Sequence, residues 1–154
     1  MRKLPLSIAT ALLFLAPPTL AAEASMSQSY YGTQKVVYHI NGEAGANDRA
    51  YMIALTNVQN HINAVGANNI TLKVIMHGAG VNLLKDAKDN MDLQAKVLNL
   101  KEQKVAFLVC NNTLKGQHID AERDLYDVDK ADIVPSGVAE LSRLQMQGYT
   151  YIHP

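Results

Sequence analysis

The sequence Val105-Ala-Phe-Leu-Val-Cys110-Asn-Asn-Thr-Leu-Lys-Gly116 decides the fold of this chain. Its first part, residues 105–109, is a short and continuous apolar run, the pattern of a strand buried on both faces. The run stops at Cys110, the only cysteine in the chain. Three residues of types that favour a helix cap follow: Asn111, Asn112 and Thr113. We therefore predict a buried strand, a cysteine at its carboxyl end and a helix that begins directly after it.

Two interpretations of Cys110 remain open at this point. A thiol before a helix faces unpaired backbone N–H groups and the positive end of the helix dipole, and both favour the thiolate. Alternatively, Cys110 is a small buried apolar residue at a strand end, as many free cysteines are. Because a single cysteine cannot form an internal disulfide, the fold depends on its hydrophobic core in either case.

The chain around this stretch alternates between strand and helix patterns. We predict strands at residues 36–40, 70–76, 105–109, 131–134 and 149–152. The helix after the first strand has an apolar face, a cap at Asn47 or Asp48, and an end at Gly66. Its apolar positions are Tyr51, Leu55, Val58, Ile62 and Val65. The alternation predicts a three-layer α/β/α domain with a mainly parallel five-stranded sheet.

Later helices are predicted from the same signals. Asn90 or Asp92 is expected to cap a helix that buries Leu93, Val97 and Leu100, and Asp120 is expected to cap a short one. The last helix follows Pro135-Ser-Gly137 and is predicted to bury Val138, Leu141 and Leu144.

The amino-terminal residues have the layout of a secretory signal. Arg2 and Lys3 precede a short apolar stretch, and prolines and small residues follow it. The stretch is too short for a permanent membrane anchor, although an uncleaved anchor is the alternative. We predict a signal peptide at residues 1–22, a flexible arm at 23–34 and a domain at 35–154. The mature protein would be periplasmic or secreted, with no membrane attachment after cleavage.

Charge and composition restrict the possible partners. The chain has 14 basic and 14 acidic residues, and no basic patch interrupts this balance. It also has no tryptophan and only two phenylalanines, which argues against a surface on which bases could stack. We therefore predict that nucleic acid is not a partner.

In open α/β sheets, ligands bind beyond the carboxyl ends of the strands. The predicted strand ends carry polar and reactive residues, so Cys110 is our candidate nucleophile and His77 its charge partner or proton donor. The other candidate binding residues at this edge are His39, Asn41, Gly78, Asn111, Asn112 and Ser136.

Two other kinds of site are less well supported. The segment His77-Gly-Ala-Gly80 lacks the spacing of a nucleotide-binding loop, so we expect its glycines to let backbone pass close to a neighbour. The five histidines show no tight metal-binding spacing, and we assign no metal or cofactor. A metal site remains an alternative, with its ligands drawn from His39, His77, Cys110 and His153.

The stretch Phe107-Leu-Val-Cys110-Asn-Asn-Thr-Leu-Lys-Gly116 resembles the DsrE/DsrF-like family of sulfur-relay proteins. That family has a cysteine directly after an apolar strand, with a basic residue and a glycine five and six positions later, here Lys115 and Gly116. The similarity extends over the mature part of the chain. The segments that resemble an exported branch are His39-Ile-Asn, residues 55–58, His77-Gly-Ala-Gly80, residues 132–141 and residues 147–154.

The resemblance implies a five-stranded parallel sheet and a homotrimer or homohexamer. It also implies that Cys110 carries sulfur as a persulfide, that Lys115 belongs to the binding residues, and that the partner is a sulfur donor or acceptor protein. Our first hypothesis is therefore a periplasmic sulfur-handling protein. The alternative is a non-catalytic oligomeric module that binds a ligand or a metal in the strand-end crevice.

Overall fold

The computed structural model describes residues 30–154. The predicted signal peptide and residues 23–29 of the predicted arm lie outside the described residues. Gln34, which we assigned to the end of the arm, is instead the first residue of the first strand. Across the described part of the chain, no helix has the length and apolar character needed to cross a membrane.

Strands and helices alternate along the described chain. The strands are β1 (Gln34–Ile40), β2 (Ile70–Met76), β3 (Ala106–Cys110), β4 (Ile133–Val134) and β5 (Thr150–Ile152). The α-helices are α1 (Arg49–Val65), α2 (Asn82–Asp86), α3 (Met91–Glu102), α4 (Asn111–Gly116), α5 (Ala121–Asp124) and α6 (Gly137–Met146). Three short 3-10 turns complete it: Ala46–Asp48, Gly78–Val81 and Lys130–Asp132.

The five strands form one parallel sheet in the order β4-β3-β2-β1-β5. Ile40 pairs with Met76, and Cys110 pairs with Val134, so the carboxyl ends of neighbouring strands meet at one edge. The arrangement confirms the predicted three-layer α/β/α fold.

The two faces of the sheet are covered unequally. One face packs on α1, α2 and α3 in a large core that includes Tyr51, Val74 and Phe107. Within residues 30–154, the other face packs on α6, through Val37, Ile75, Leu108, Leu141 and Leu144. Side chains alternate between the faces of a strand, so His39 shares the α6 side with Val37, and Cys110 shares it with Leu108. The candidate residues therefore lie in the thinner layer.

The predicted helix caps are confirmed at Asn90 and Asp120, whose side chains accept hydrogen bonds from backbone N–H groups of the following turn. The prediction of a cap for α1 is wrong. Asp48 occupies the N-cap position with a φ of 55° and makes no capping bond. Its carboxylate instead accepts a hydrogen bond from the Asn90 side chain at 2.8 Å, so a tertiary contact replaces the local one.

Two predictions near the carboxyl end also need correction. The fourth strand has two residues instead of four, because Lys130–Asp132 forms a 3-10 turn stabilised by a capping box between Asp129 and Asp132. In α6, Leu141 and Leu144 are buried as predicted, but Val138 is 63% exposed.

Candidate functional site

Cys110 lies at a junction between strand and helix that contains no loop. It is the last residue of β3 and the N-cap of α4, and it is 5% exposed. The cap predicted at Asn111–Thr113 is wrong by one residue, because Cys110 itself has the extended backbone of a cap residue. Its side chain makes no capping hydrogen bond, so the free amides of the first turn remain around the sulfur.

The start of a second helix also approaches the sulfur. Ser136 caps α6 by accepting a hydrogen bond from the Ala139 N–H at 3.4 Å, and Gly137 is the first helical residue. A β-carbon at Gly137 would lie 3.2 Å from the Cys110 β-carbon and 3.1 Å from the His77 β-carbon. Glycine at this position therefore lets α6 begin directly against both side chains.

The surroundings of Cys110 lower the pKa of its thiol. Burial is the largest single influence and raises the pKa, because it disfavours a charged sulfur. The backbone amides of Gly137, Thr113 and Asn112 and the Thr113 hydroxyl stabilise the thiolate, and together they outweigh burial. Two helix starts from separate parts of the chain thus act on one sulfur.

Thr113 connects the cysteine to the loop after β2. Its hydroxyl oxygen accepts a hydrogen bond from the Gly78 N–H at 2.9 Å, and its hydroxyl group stabilises the Cys110 thiolate. Gly78 has a φ of 56°, a left-handed conformation that glycine adopts without strain. This contact holds the backbone next to His77 against α4.

Three histidines, which we call the histidine cluster, lie beside this junction: His39, His77 and His153. The Nε2 atoms of His39 and His77 are 2.7 Å apart, and the two rings stack with centroids 4.6 Å apart. His39 Nδ1 lies 2.7 Å from the Tyr151 hydroxyl. The His153 ring meets the His39 ring edge-on, and its Nε2 lies 3.0 Å from the Asn41 side-chain oxygen.

Burial keeps the central histidine of this cluster neutral. His39 is 7% exposed, and burial lowers its pKa to about 4, with further lowering by the charges of His77 and His153. Burial also lowers the pKa of His77. Near pH 7 the contact between the two Nε2 atoms therefore joins two neutral rings, one of which donates the proton.

The pKa of His39 predicts a loss of stability in mild acid. Between its folded pKa of about 4 and the ordinary value of 6.5, the unfolded chain binds a proton that the folded chain excludes. The free energy of unfolding should therefore fall as the pH falls, by about 2 kcal/mol from this residue at about pH 5.

Urea denaturation of wild type and His39→Gln at about pH 7 and about pH 5 measures this loss. The acid loss of stability should be smaller in the variant. It should not vanish, because His61 and His77 also have lowered pKa values and act in the same direction. Equal losses in the two proteins would contradict the assignment to His39.

The structure brings most of the predicted site residues together. Cys110, Asn112, Gly78, His77 and His39 form one continuous group, and Asn41 joins it through His153. Ser136 contributes as the cap of α6. Ligand binding by these residues stays a prediction.

Lys115 lies apart from the histidine cluster. It is exposed in the last turn of α4 and, with Asn111, lines an open cleft of ≈ 1090 Å³ that continues to Lys130 and Ile133. Asn111 therefore lies between Cys110 and this cleft. Within residues 30–154, no group of three or more His, Cys, Asp or Glu side chains has an arrangement suited to a metal ion.

Sequence reasoning missed three contributors: the Thr113 hydroxyl as a partner of the sulfur, Gly137 and Tyr151. Thr113 and Gly137 lie in predicted helix starts, but their approach to Cys110 depends on the tertiary fold. Tyr151 lies two residues before His153 in a strand pattern. That spacing could have placed both side chains on one face of the last strand, but the neighbouring strand is known only from the fold.

Comparison with known proteins agrees with this fold. The model of the DsrE/DsrF-like family matches residues 34–154. No curated protein matches the chain. A solved structure of a protein of unknown function from Methanobacterium thermoautotrophicum is 30% identical and superimposes with a TM-score of 0.66. That match covers 79% of this chain and 99% of the other. On this evidence the chain belongs to the DsrE/DsrF-like family.

Proposed function

We propose that this protein accepts sulfur as a persulfide on Cys110 and passes it to a protein partner. The observation that carries the proposal is the position of Cys110 between the starts of α4 and α6, where amides and a hydroxyl lower the pKa of the thiol. The thiolate is the nucleophilic form of cysteine. Membership of the DsrE/DsrF-like family supports a sulfur-relay function in general.

The uptake step is an exchange at sulfur. The Cys110 thiolate attacks the terminal sulfur of a donor persulfide, so a new bond forms between Sγ and that sulfur while the donor's S–S bond breaks. The donor leaves as a thiolate and takes up a proton, and the transferred sulfur keeps its own proton. The transfer to an acceptor thiolate is the same exchange in reverse, and neither step needs an external oxidant.

The neighbours of Cys110 suit both halves of this exchange. The amides of Gly137, Thr113 and Asn112 stabilise the Cys110 thiolate, which is the nucleophile of the uptake step and the leaving group of the transfer step. His77 lies against the same glycine as Cys110, and this proximity supports a role for its titratable ring at the leaving donor. Because Cys110 is only 5% exposed, we expect small donors to react faster than bulky ones.

The same proposal includes where the protein acts and with what. We infer a periplasmic or secreted protein, on the strength of the signal-like sequence of residues 1–22. Its partners would be a sulfur donor and an acceptor protein, and its assembly a homotrimer or homohexamer. Fractionation of the producing cells and light scattering of the purified protein test these two points separately.

Intact-mass analysis tests the central proposal. Purified protein is incubated with inorganic polysulfide, freed of excess reagent, and weighed. Wild type should gain the mass of one sulfur atom, and a reducing thiol should remove it. Protein alkylated at Cys110 beforehand should gain nothing. If the untreated protein gains no sulfur, the proposal is wrong.

The open cleft between α4 and β4 favours one alternative. It is lined by charged side chains, including Lys115, Asp129 and Lys130, and by apolar ones such as Leu114 and Ile133. A non-catalytic module could bind a small ligand there. In that case Cys110 would not react with thiol reagents in the native state, and its replacement would leave ligand binding intact.

A further inference from the structure

A chain of hydrogen bonds leads from the surface into the histidine cluster. Tyr151, in β5, is 44% exposed, and its hydroxyl lies 2.7 Å from His39 Nδ1. His39, in β1, is buried, and its Nε2 lies 2.7 Å from the Nε2 of His77, which follows β2. Both ring nitrogens of His39 are therefore used, one by the Tyr151 hydroxyl and one by His77, which is itself only partly buried.

The His77 end of this chain reaches the surroundings of Cys110. The β-carbons of His77 and Cys110 both lie against Gly137, and Thr113 binds the amide next to His77 while its hydroxyl stabilises the Cys110 thiolate. The Nδ1 atom of His77 makes no hydrogen bond to any of residues 30–154. Of the four ring nitrogens of His39 and His77, it is thus the one that a substrate can still engage.

We propose that Tyr151, His39 and His77 form a proton relay between solvent and the sulfur at Cys110. This inference rests on the proposed function and deepens it. His77 exchanges the proton with the substrate, and His39 and Tyr151 are positioning residues that set which nitrogen of His77 carries it. The other titratable groups facing the relay are His153, which packs on His39, and Cys110 itself.

The relay works without creating a charged ring. In the resting state the Tyr151 hydroxyl donates to His39 Nδ1, His39 Nε2–H donates to His77 Nε2, and His77 carries its proton on Nδ1. When a donor leaves as a thiolate, it takes the Nδ1 proton. His77 Nε2 then takes the Nε2 proton of His39, and His39 Nδ1 takes the hydroxyl proton of Tyr151. A water molecule gives a proton to the Tyr151 oxygen and becomes hydroxide. Each ring changes tautomer and stays neutral, which suits a buried site.

Tyr151→Phe tests the relay, because it removes one hydroxyl from a partly exposed ring and leaves the packing in place. Long-range ¹H–¹⁵N NMR correlations report which nitrogen of each histidine is protonated. In wild type at neutral pH, His39 should carry its proton on Nε2. In the variant, His39 loses the hydroxyl that donates to Nδ1, so its proton should shift toward Nδ1.

The rate of sulfur uptake gives the second measurement. Tyr151→Phe should slow uptake from polysulfide by about tenfold and change its pH profile, while the final extent of loading stays that of wild type. Tyr149→Phe is the matched control, since Tyr149 lies near Lys35 and Lys73 and outside the relay. It should leave both the NMR signals of His39 and the uptake rate unchanged.

The two measurements separate failure of the relay from failure of the proposed function. If wild type loads sulfur but Tyr151→Phe keeps the wild-type rate and the wild-type tautomer of His39, the relay is overturned and the sulfur-carrier function stands. If wild type takes up no sulfur, the proposed function fails and the relay loses its role, whatever the tautomers show.

Discussion

Cys110→Ser is expected to abolish sulfur loading completely. A serine hydroxyl in the same place is not ionised near neutral pH and cannot form a persulfide, so no mass of sulfur should remain on the protein after excess polysulfide is removed. The fold should survive, because serine is close to cysteine in size and the amides of Gly137 and Asn112 offer its oxygen hydrogen bonds.

Thr113→Val is the matched variant for this experiment. It keeps the shape of the side chain and removes the hydroxyl that stabilises the thiolate, so loading should be slower by up to about tenfold but still reach completion. Intact mass against time measures both variants. Sulfur uptake by Cys110→Ser equal to that of wild type would contradict any role of Cys110 as the carrier.

Among these variants, Gly80→Ala is expected to cause the largest loss in the free energy of unfolding. A β-carbon at this position would lie 2.0 Å from the Ile40 carbonyl oxygen and 2.8 Å from the Asn41 backbone nitrogen, and neither backbone atom can move away cheaply. The Gly80 N–H also donates to the His77 carbonyl, so a shift of the turn would displace His77. We expect a loss of about 3 kcal/mol or more in the free energy of unfolding.

Gly42→Ala is the control for that prediction. Nothing lies within 4 Å of a β-carbon at Gly42, and its backbone is not in the left-handed region. Its stability should change by less than about 1 kcal/mol, in the stabilising direction if at all. Urea denaturation of the two variants decides the point, and equal stabilities would show that the turn after β2 accommodates a side chain.

The parts of the site that sequence predicts are those set by local pattern. Apolar runs such as residues 70–76 and 105–109 fix the strands, and a parallel sheet must bring their carboxyl ends to one edge. This reasoning placed Cys110, His77 and His39 together correctly. It also anticipated the close backbone approach at Gly80, because glycine spacing without a nucleotide motif indicates tight packing.

The parts that sequence does not predict are set by contacts between distant residues. Gly137 lies 27 positions after Cys110, and only the packing of α6 on the sheet shows that its amide faces the sulfur. Asp48 follows the local rule for a cap but binds Asn90 across the fold instead. The relay partner Tyr151 meets His39 only because β5 pairs with β1.

The rate of Cys110 alkylation against pH tests the central claim most directly, because it measures the ionisation of the sulfur and its access together. Our account predicts that a small reagent such as iodoacetamide reacts with the native protein and that the midpoint of its pH profile lies below the ordinary pKa of a cysteine thiol. The midpoint should rise in Thr113→Val. A midpoint at or above the ordinary value, or a native protein that does not react, would contradict the account.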